Sequence, residues 1–73
     1  MGDKPQRLEL VARGHSRRPD KYNWFVADSA RILFYADNQG RAGREECERW
    51  LSSQGYAETQ QSPASIWSLP AQV

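Results

Sequence analysis

The chain has 73 residues, 26% of them charged and 38% apolar, and ten Lys and Arg against nine Asp and Glu leave a net charge of +1. A chain of this length forms one small domain that buries only about 60% of its unfolded surface, which leaves little volume for a deep cofactor pocket and argues against most enzyme classes. Eight aromatic residues in patterned segments exclude a disordered chain, the single Cys47 excludes an intramolecular disulfide and a Cys/His zinc site, and the near-neutral balance falls short of a strongly basic nucleic-acid binder.

No stretch near the N-terminus has the apolar run of a signal peptide, and none reaches the about 18 apolar residues of a membrane span. The expected setting is therefore cytoplasmic, without membrane contact. Charge is unevenly spread, +4 over residues 1–44 and −3 over residues 45–73, an asymmetry that can orient a charged partner or a second copy of the chain.

After a polar lead, RLELVAR at 7–13 alternates Leu8, Leu10 and Ala12 with Arg7, Glu9, Val11 and Arg13, the period of a half-buried strand. Gly14 and Pro19 bracket a charged loop. Next, YNWFVADSARILFYA reads as a hairpin turning at Asp28 and Ser29. A two-residue turn sets Phe25 opposite Ile32, Ala27 opposite Ala30, Trp24 opposite Leu33 and Tyr22 opposite Tyr35. Phe25, Ala27, Ala30, Ile32, Phe34 and Ala36 then form the core face. Tyr22, Trp24, Val26, Arg31, Leu33 and Tyr35 form the other, and a one-residue slip in either strand exchanges its faces.

DNQG at 37–40 has turn chemistry, and RAGREECERWLSSQ at 41–54 predicts a helix stopped by Gly55. Cys47, Trp50 and Leu51 make its apolar stripe, and Glu45 and Arg49 an i, i+4 pair. Tyr56 is expected to turn onto the core, AETQQSPA to form a loop, and SIWSL to supply the last strand. The expected fold is a single α+β domain over 1–73, in β-β-β-α-β order, with one helix packed on a small antiparallel sheet and loose termini at about 1–5 and 70–73.

The basic loop with Arg13, His15, Arg17, Arg18 and Lys21, next to Tyr22 and Trp24, combines cations with stackable rings, as single-stranded nucleic acid binding requires; Asp20 interrupts it. A lone His15 lacks the partners of a metal site or a proton relay. Cys47 has Glu45, Glu46 and Glu48 as neighbours, which disfavour a thiolate, so packing is its expected role. The three glutamates point in different directions around a helix and make no acid and base pair. The glycines of QGRAG match neither a dinucleotide fingerprint nor a P-loop. No catalytic residue, metal ligand or cofactor is expected.

The remaining candidate is the second hairpin face, where Tyr22, Trp24, Leu33 and Tyr35 surround Arg31. Tyr, Trp and Arg dominate interface hot spots. The expected function is thus non-enzymatic recognition of a protein partner through these residues, with RNA or single-stranded DNA at the basic loop as the alternative and a homodimer left open by exposed strand edges.

WFVADSARILFYADN followed by REECERWLSSQGY resembles, in size and layout, small bacterial and phage proteins that back a short meander with one helix, including small anti-CRISPR proteins. That resemblance implies an inhibitor that binds a larger defence complex, and it carries over no functional residue. GH at 14–15, WFV at 24–26 and GRAGREEC at 40–47 resemble the double-stranded RNA-binding domain. The chain departs from that family in its Glu45 and Glu46, where the family is basic, and in having no leading helix.

Overall fold

The alternation in RLELVAR gives a strand with one apolar row, and that strand lies at the centre of the sheet. The computed structural model describes residues 4–14 and 17–70. In it β1 (Arg7–Arg13), β2 (Asn23–Ala27), β3 (Ile32–Gln39), β4 (Ala57–Gln60) and β5 (Ser65–Ser68) form one antiparallel sheet in the order β3-β2-β1-β5-β4. The helix α1 (Gly40–Ser53) crosses one face, chiefly over β3 and β2. Leu8, Leu10, Val26, Ala36, Cys47, Leu51, Tyr56 and Trp67 are buried together between helix and sheet.

The α+β class with a single helix on an antiparallel sheet is as expected. The strand order is not: AETQ at 57–60 is a strand rather than part of a loop, so the sequence of elements is β-β-β-α-β-β. Its hydrogen bonding explains how so polar a segment pairs. Ser65 Oγ donates to Glu58 Oε2 at 2.8 Å, Trp67 Nε1 donates to Ser65 Oγ at 2.9 Å, and Thr59 Oγ1 donates to the Ile66 carbonyl at 3.3 Å.

The β2–β3 hairpin departs most from expectation. Asp28 Oδ1 accepts the N–H groups of Ala30 at 2.7 Å and Arg31 at 2.8 Å, and the Asp28 N–H donates to the Arg31 carbonyl at 3.0 Å. This side-chain turn closes over residues 28–31 instead of two residues. The register is Ala27 with Ile32, Val26 with Phe34, Phe25 with Tyr35 and Asn23 with Gln39. Leu33 is thus surplus opposite Val26, and Ala36, Asp37 and Asn38 together face Trp24.

The slip exchanges the faces of β2. Val26 and Trp24 pack toward α1, while Phe25, Ala27 and Ile32 lie on the opposite, helix-free face; Ala30 is in the turn. In β3, Phe34 and Ala36 do face the helix, and the Phe34 ring stacks on Trp50 with centroids 5.2 Å apart.

β3 continues to Gln39 through the expected turn because Glu46 reaches back to it. The Glu46 carboxylate accepts the N–H groups of Asp37 and Asn38, both at 3.1 Å, and the Asn38 side-chain amide. The helix comes this close because residue 43 is glycine: a Cβ there would overlap the Asn38 carbonyl oxygen, with the Trp24 ring in contact beside it. Gly40, at φ +65°, lies against the Asp20 carbonyl of the short 3-10 turn Pro19–Lys21 and donates its N–H to the Tyr22 carbonyl at 2.8 Å.

Cys47 and Leu51 are fully buried and Trp50 half-buried, as their spacing predicts, and Gly55 at φ +91° follows the helix end. Glu45 is held by Arg41 at 3.2 Å, not by Arg49, and Arg44 pairs with Glu48 at 3.4 Å. The start of the chain is tied down from Lys4: its Nζ donates to the Gln54 carbonyl at 2.8 Å, the Tyr56 hydroxyl donates to the Pro5 carbonyl, and the Leu69 N–H donates to the Gln6 carbonyl at 3.0 Å. Residues 1–3 and 71–73 of the expected loose ends lie outside the described residues.

In an open helix interior Gly→Ala stabilises by up to about 1 kcal/mol. Gly43→Ala is expected to destabilise instead, by about 1–3 kcal/mol, the usual range for overpacking. Chemical denaturation of the two proteins measures the sign.

Candidate functional site

The helix covers one side of the sheet, so any extended binding surface falls to the other. Directly paired residues share a face, and the registers give its rows. Gln39, Asn23 and Arg13 form one, Tyr35, Phe25 and Val11 the next, and Ile32, Ala27, Glu9, Ile66 and Gln60 the third.

A stack runs across the first two rows. The Arg13 guanidinium lies 5.3 Å from the Phe25 ring centroid, and the Phe25 and Tyr35 rings are near-parallel with centroids 5.8 Å apart. Phe25, between the two, is only 5% exposed, whereas Tyr35 is 53% exposed. The sheet thereby presents a tyrosine already fixed by packing, which lowers the entropy cost of using it in a contact. In the first row, Gln39 Nε2 donates to Asn23 Oδ1 at 3.3 Å. Below the stack a groove of about 580 Å³ runs over Val11, Ala27 and Ile66, with Pro5, Arg7 and Glu9 along its sides.

The five residues expected to form the partner surface are dispersed. Tyr35 alone is on the helix-free face. Trp24 faces the helix, its ring against Gly43 and the Arg44 guanidinium 5.7 Å from its centroid. Leu33, in the bulge, packs on the buried cluster, Arg31 is exposed in the hairpin turn, and Tyr22 is half-buried with its ring closed over Gly14.

Of the basic-loop residues, Arg13 belongs to the stack. Arg17, Arg18 and Lys21 are exposed, and His15 lies outside the described residues. The two rings expected to stack bases beside that loop, Tyr22 and Trp24, are half-buried. Sequence reasoning missed Phe25, Ile32, Val11, Ala27 and Ile66 as a surface. Val11 was legible in the alternation of β1, which already put it opposite Leu8 and Leu10.

Among the described residues four titrating groups are shifted, the Tyr56 hydroxyl upward by burial first and then by the Asp28 charge, and each shift supports the architecture rather than a reaction. Burial, then the neighbouring Glu46 charge, pushes the Cys47 thiol up to about 11, so it remains a thiol. The Glu46 carboxyl is held below its ordinary 4.5 by the Asp37 N–H first and then by Asn38. Asp28 is lowered by the N–H groups of Ala30 and Arg31. Among the described residues no three His, Cys, Asp or Glu side chains converge on a metal position, and no helix is long and apolar enough to cross a membrane.

No protein-family model, curated protein or solved structure matches the chain.

Because Glu46 and Asp28 titrate lower folded than unfolded, their stabilisation is complete above the ordinary carboxylate values and is lost as pH falls through the folded ones. Thermal melts are expected to fall on acidification below pH 4.5, and Glu46→Gln to flatten that limb. Trp24→Ala, at a half-buried ring packed on the core, is expected to cost up to about 3 kcal/mol, the low end for large core truncations. Tyr35→Ala should cost about 0.5–1.5 kcal/mol, the worth of an aromatic pair. Urea titration of both variants measures the contrast.

Proposed function

We propose that the chain is a binding module that recognises a protein partner through the helix-free face of its sheet, without catalysis. The observation that carries this reading is the uncovered middle of that face. An apolar floor of Val11, Ala27 and Ile66 lies beside a ridge of Arg13, Phe25 and Tyr35. A partner could bury a side chain in the groove while the Arg13 and Tyr35 ridge supplies the residue types that dominate hot spots. The charges bordering it, Arg7 and Arg13 against Glu9 and Asp28, balance, and favour a partner rim of mixed sign.

An inhibitor of a larger nucleic-acid-processing complex is the form of this reading that the likeness in size and layout to small inhibitors suggests. Such a protein needs only one surface and a stable scaffold behind it. Direct contact with RNA or single-stranded DNA is the competing reading; the exposed Arg18 and Lys21 favour it, while Tyr22 and Trp24, both half-buried, leave only part of each ring open to stack.

Affinity capture from the native host, repeated with face variants, tests the proposal. Val11→Lys and Arg13→Glu should each weaken retention of the captured protein by about 30-fold or more, a hot-spot loss of about 2 kcal/mol, with the circular dichroism unchanged, while Arg49→Ala on the helix leaves it intact. Binding of an oligonucleotide that weakens steeply with salt and is lost in an Arg17, Arg18 and Lys21→Ala triple variant would replace this reading with the competing one.

A further inference from the structure

Among the described residues the two large apolar side chains most open to water, Tyr35 at 53% and Ile32 at 50%, lie on one strand and on one face of it. That strand, β3, is the outer strand of the sheet. An outer strand carries a row of backbone N–H and C=O groups with no neighbouring strand to bond them.

The bulge gives this edge an unusual order of faces. Ile32 is on the helix-free face through its pairing with Ala27, Leu33 and Phe34 are both on the helix side, and Tyr35 returns to the helix-free face beside Phe25. A regular strand matches its own reverse only about an axis through a residue, and the surplus Leu33 moves that axis to between two residues. A two-fold axis between Leu33 and Phe34 sets Ile32 opposite Tyr35 of a second copy and Leu33 opposite Phe34 of that copy, like face against like face at every position. A bulge puts an edge out of step with a regular strand, whereas a second copy has the same surplus residue at the same place and stays in step.

Charge follows the same symmetry. In that register Arg31 lies opposite Ala36 of the second copy, one residue from its Asp37, and the contact repeats across the axis; Arg31 and Asp37 are both exposed. Beyond Ala36 the Asp37 and Asn38 N–H groups are already bonded to Glu46, which ends the strand available for pairing. The other edge, β4, has no comparable feature: its AETQ is polar, and Glu58 is bonded to Ser65 of the neighbouring strand.

We propose that a second copy of this chain pairs with β3, antiparallel and centred between Leu33 and Phe34, joining the two sheets edge to edge with both helices on the same side. The interface is isologous, as two-fold dimers require. Each copy covers the other's exposed Ile32 with Tyr35 on one face and brings the Phe34 and Trp50 pairs together on the other. With so short a paired segment the buried area falls below the about 1,200 Å² of standard interfaces, so the dimer should form in a concentration-dependent way. The proposal is separate from the groove at Val11 and Ala27, which the pairing leaves uncovered.

Sedimentation equilibrium over a wide concentration range should show the mass of two chains at the upper end. Ile32→Lys, a change at a half-exposed position, should raise the dissociation constant at least 10-fold with circular dichroism unchanged, and Val11→Lys should leave it as it is. The register has its own readout. A mixture of Ile32→Cys and Tyr35→Cys chains should form a disulfide on oxidation, while either variant alone should not, because like positions are then too far apart for the bond. A single-chain mass at every concentration would overturn the proposal, as would a dimer indifferent to Ile32→Lys or a disulfide formed by either variant alone.

Discussion

Surplus residues in β3 decide which side chains the helix covers. Leu33 is extra opposite Val26, and three residues stand opposite Trp24 where one would suffice. Backbone N–H groups freed by such a distortion need another acceptor, and the Glu46 carboxylate supplies it for Asp37 and Asn38. That contact requires the helix to lie close, which residue 43 permits by being glycine, and the close helix in turn packs on Trp24. Phe25 and Tyr35 are left together on the opposite face as a consequence.

The proposed function rests on what this leaves uncovered. The covered side of the sheet has the buried cluster, with Cys47 kept as an unreactive thiol inside it. The open side has a fixed tyrosine backed by a phenylalanine and an arginine, and beside it an apolar groove. A small domain that places Phe25 and Tyr35 on such a surface forgoes core volume it can hardly spare, and recognition is the use we propose for that arrangement. The edge of β3 offers a second surface with a different geometry, one suited to its own copy.

Much of the architecture was legible in the residues. The alternation of RLELVAR marked a half-buried strand, and Cys47, Trp50 and Leu51 before Gly55 marked the helix and its end. The hairpin faces were not legible, because hydrophobic pattern is silent on a turn closed by a side chain: Asp28 widens it with one carboxylate oxygen, and the apolar run WFVA to ILFYA fits two registers nearly equally. Nor was the second bulge, since its cause, Glu46, comes from the next element. β4 escaped notice because AETQ has no apolar alternation and owes its pairing to Glu58, Thr59 and the polar atoms of β5. The candidate surface shifted for the same reason: Trp24 stood out by residue type, but only the register tells that it faces the helix and Tyr35 is open.

The register of β2 against β3 is therefore the central claim, and nuclear Overhauser contacts between assigned side chains measure it most directly. The bulged hairpin predicts contacts of Phe25 with Tyr35, of Ala27 with Ile32, and of the Trp24 ring with Gly43. Contacts of Phe25 with Ile32 and of Trp24 with Leu33 across a two-residue turn would contradict it, and with it the assignment of the two faces.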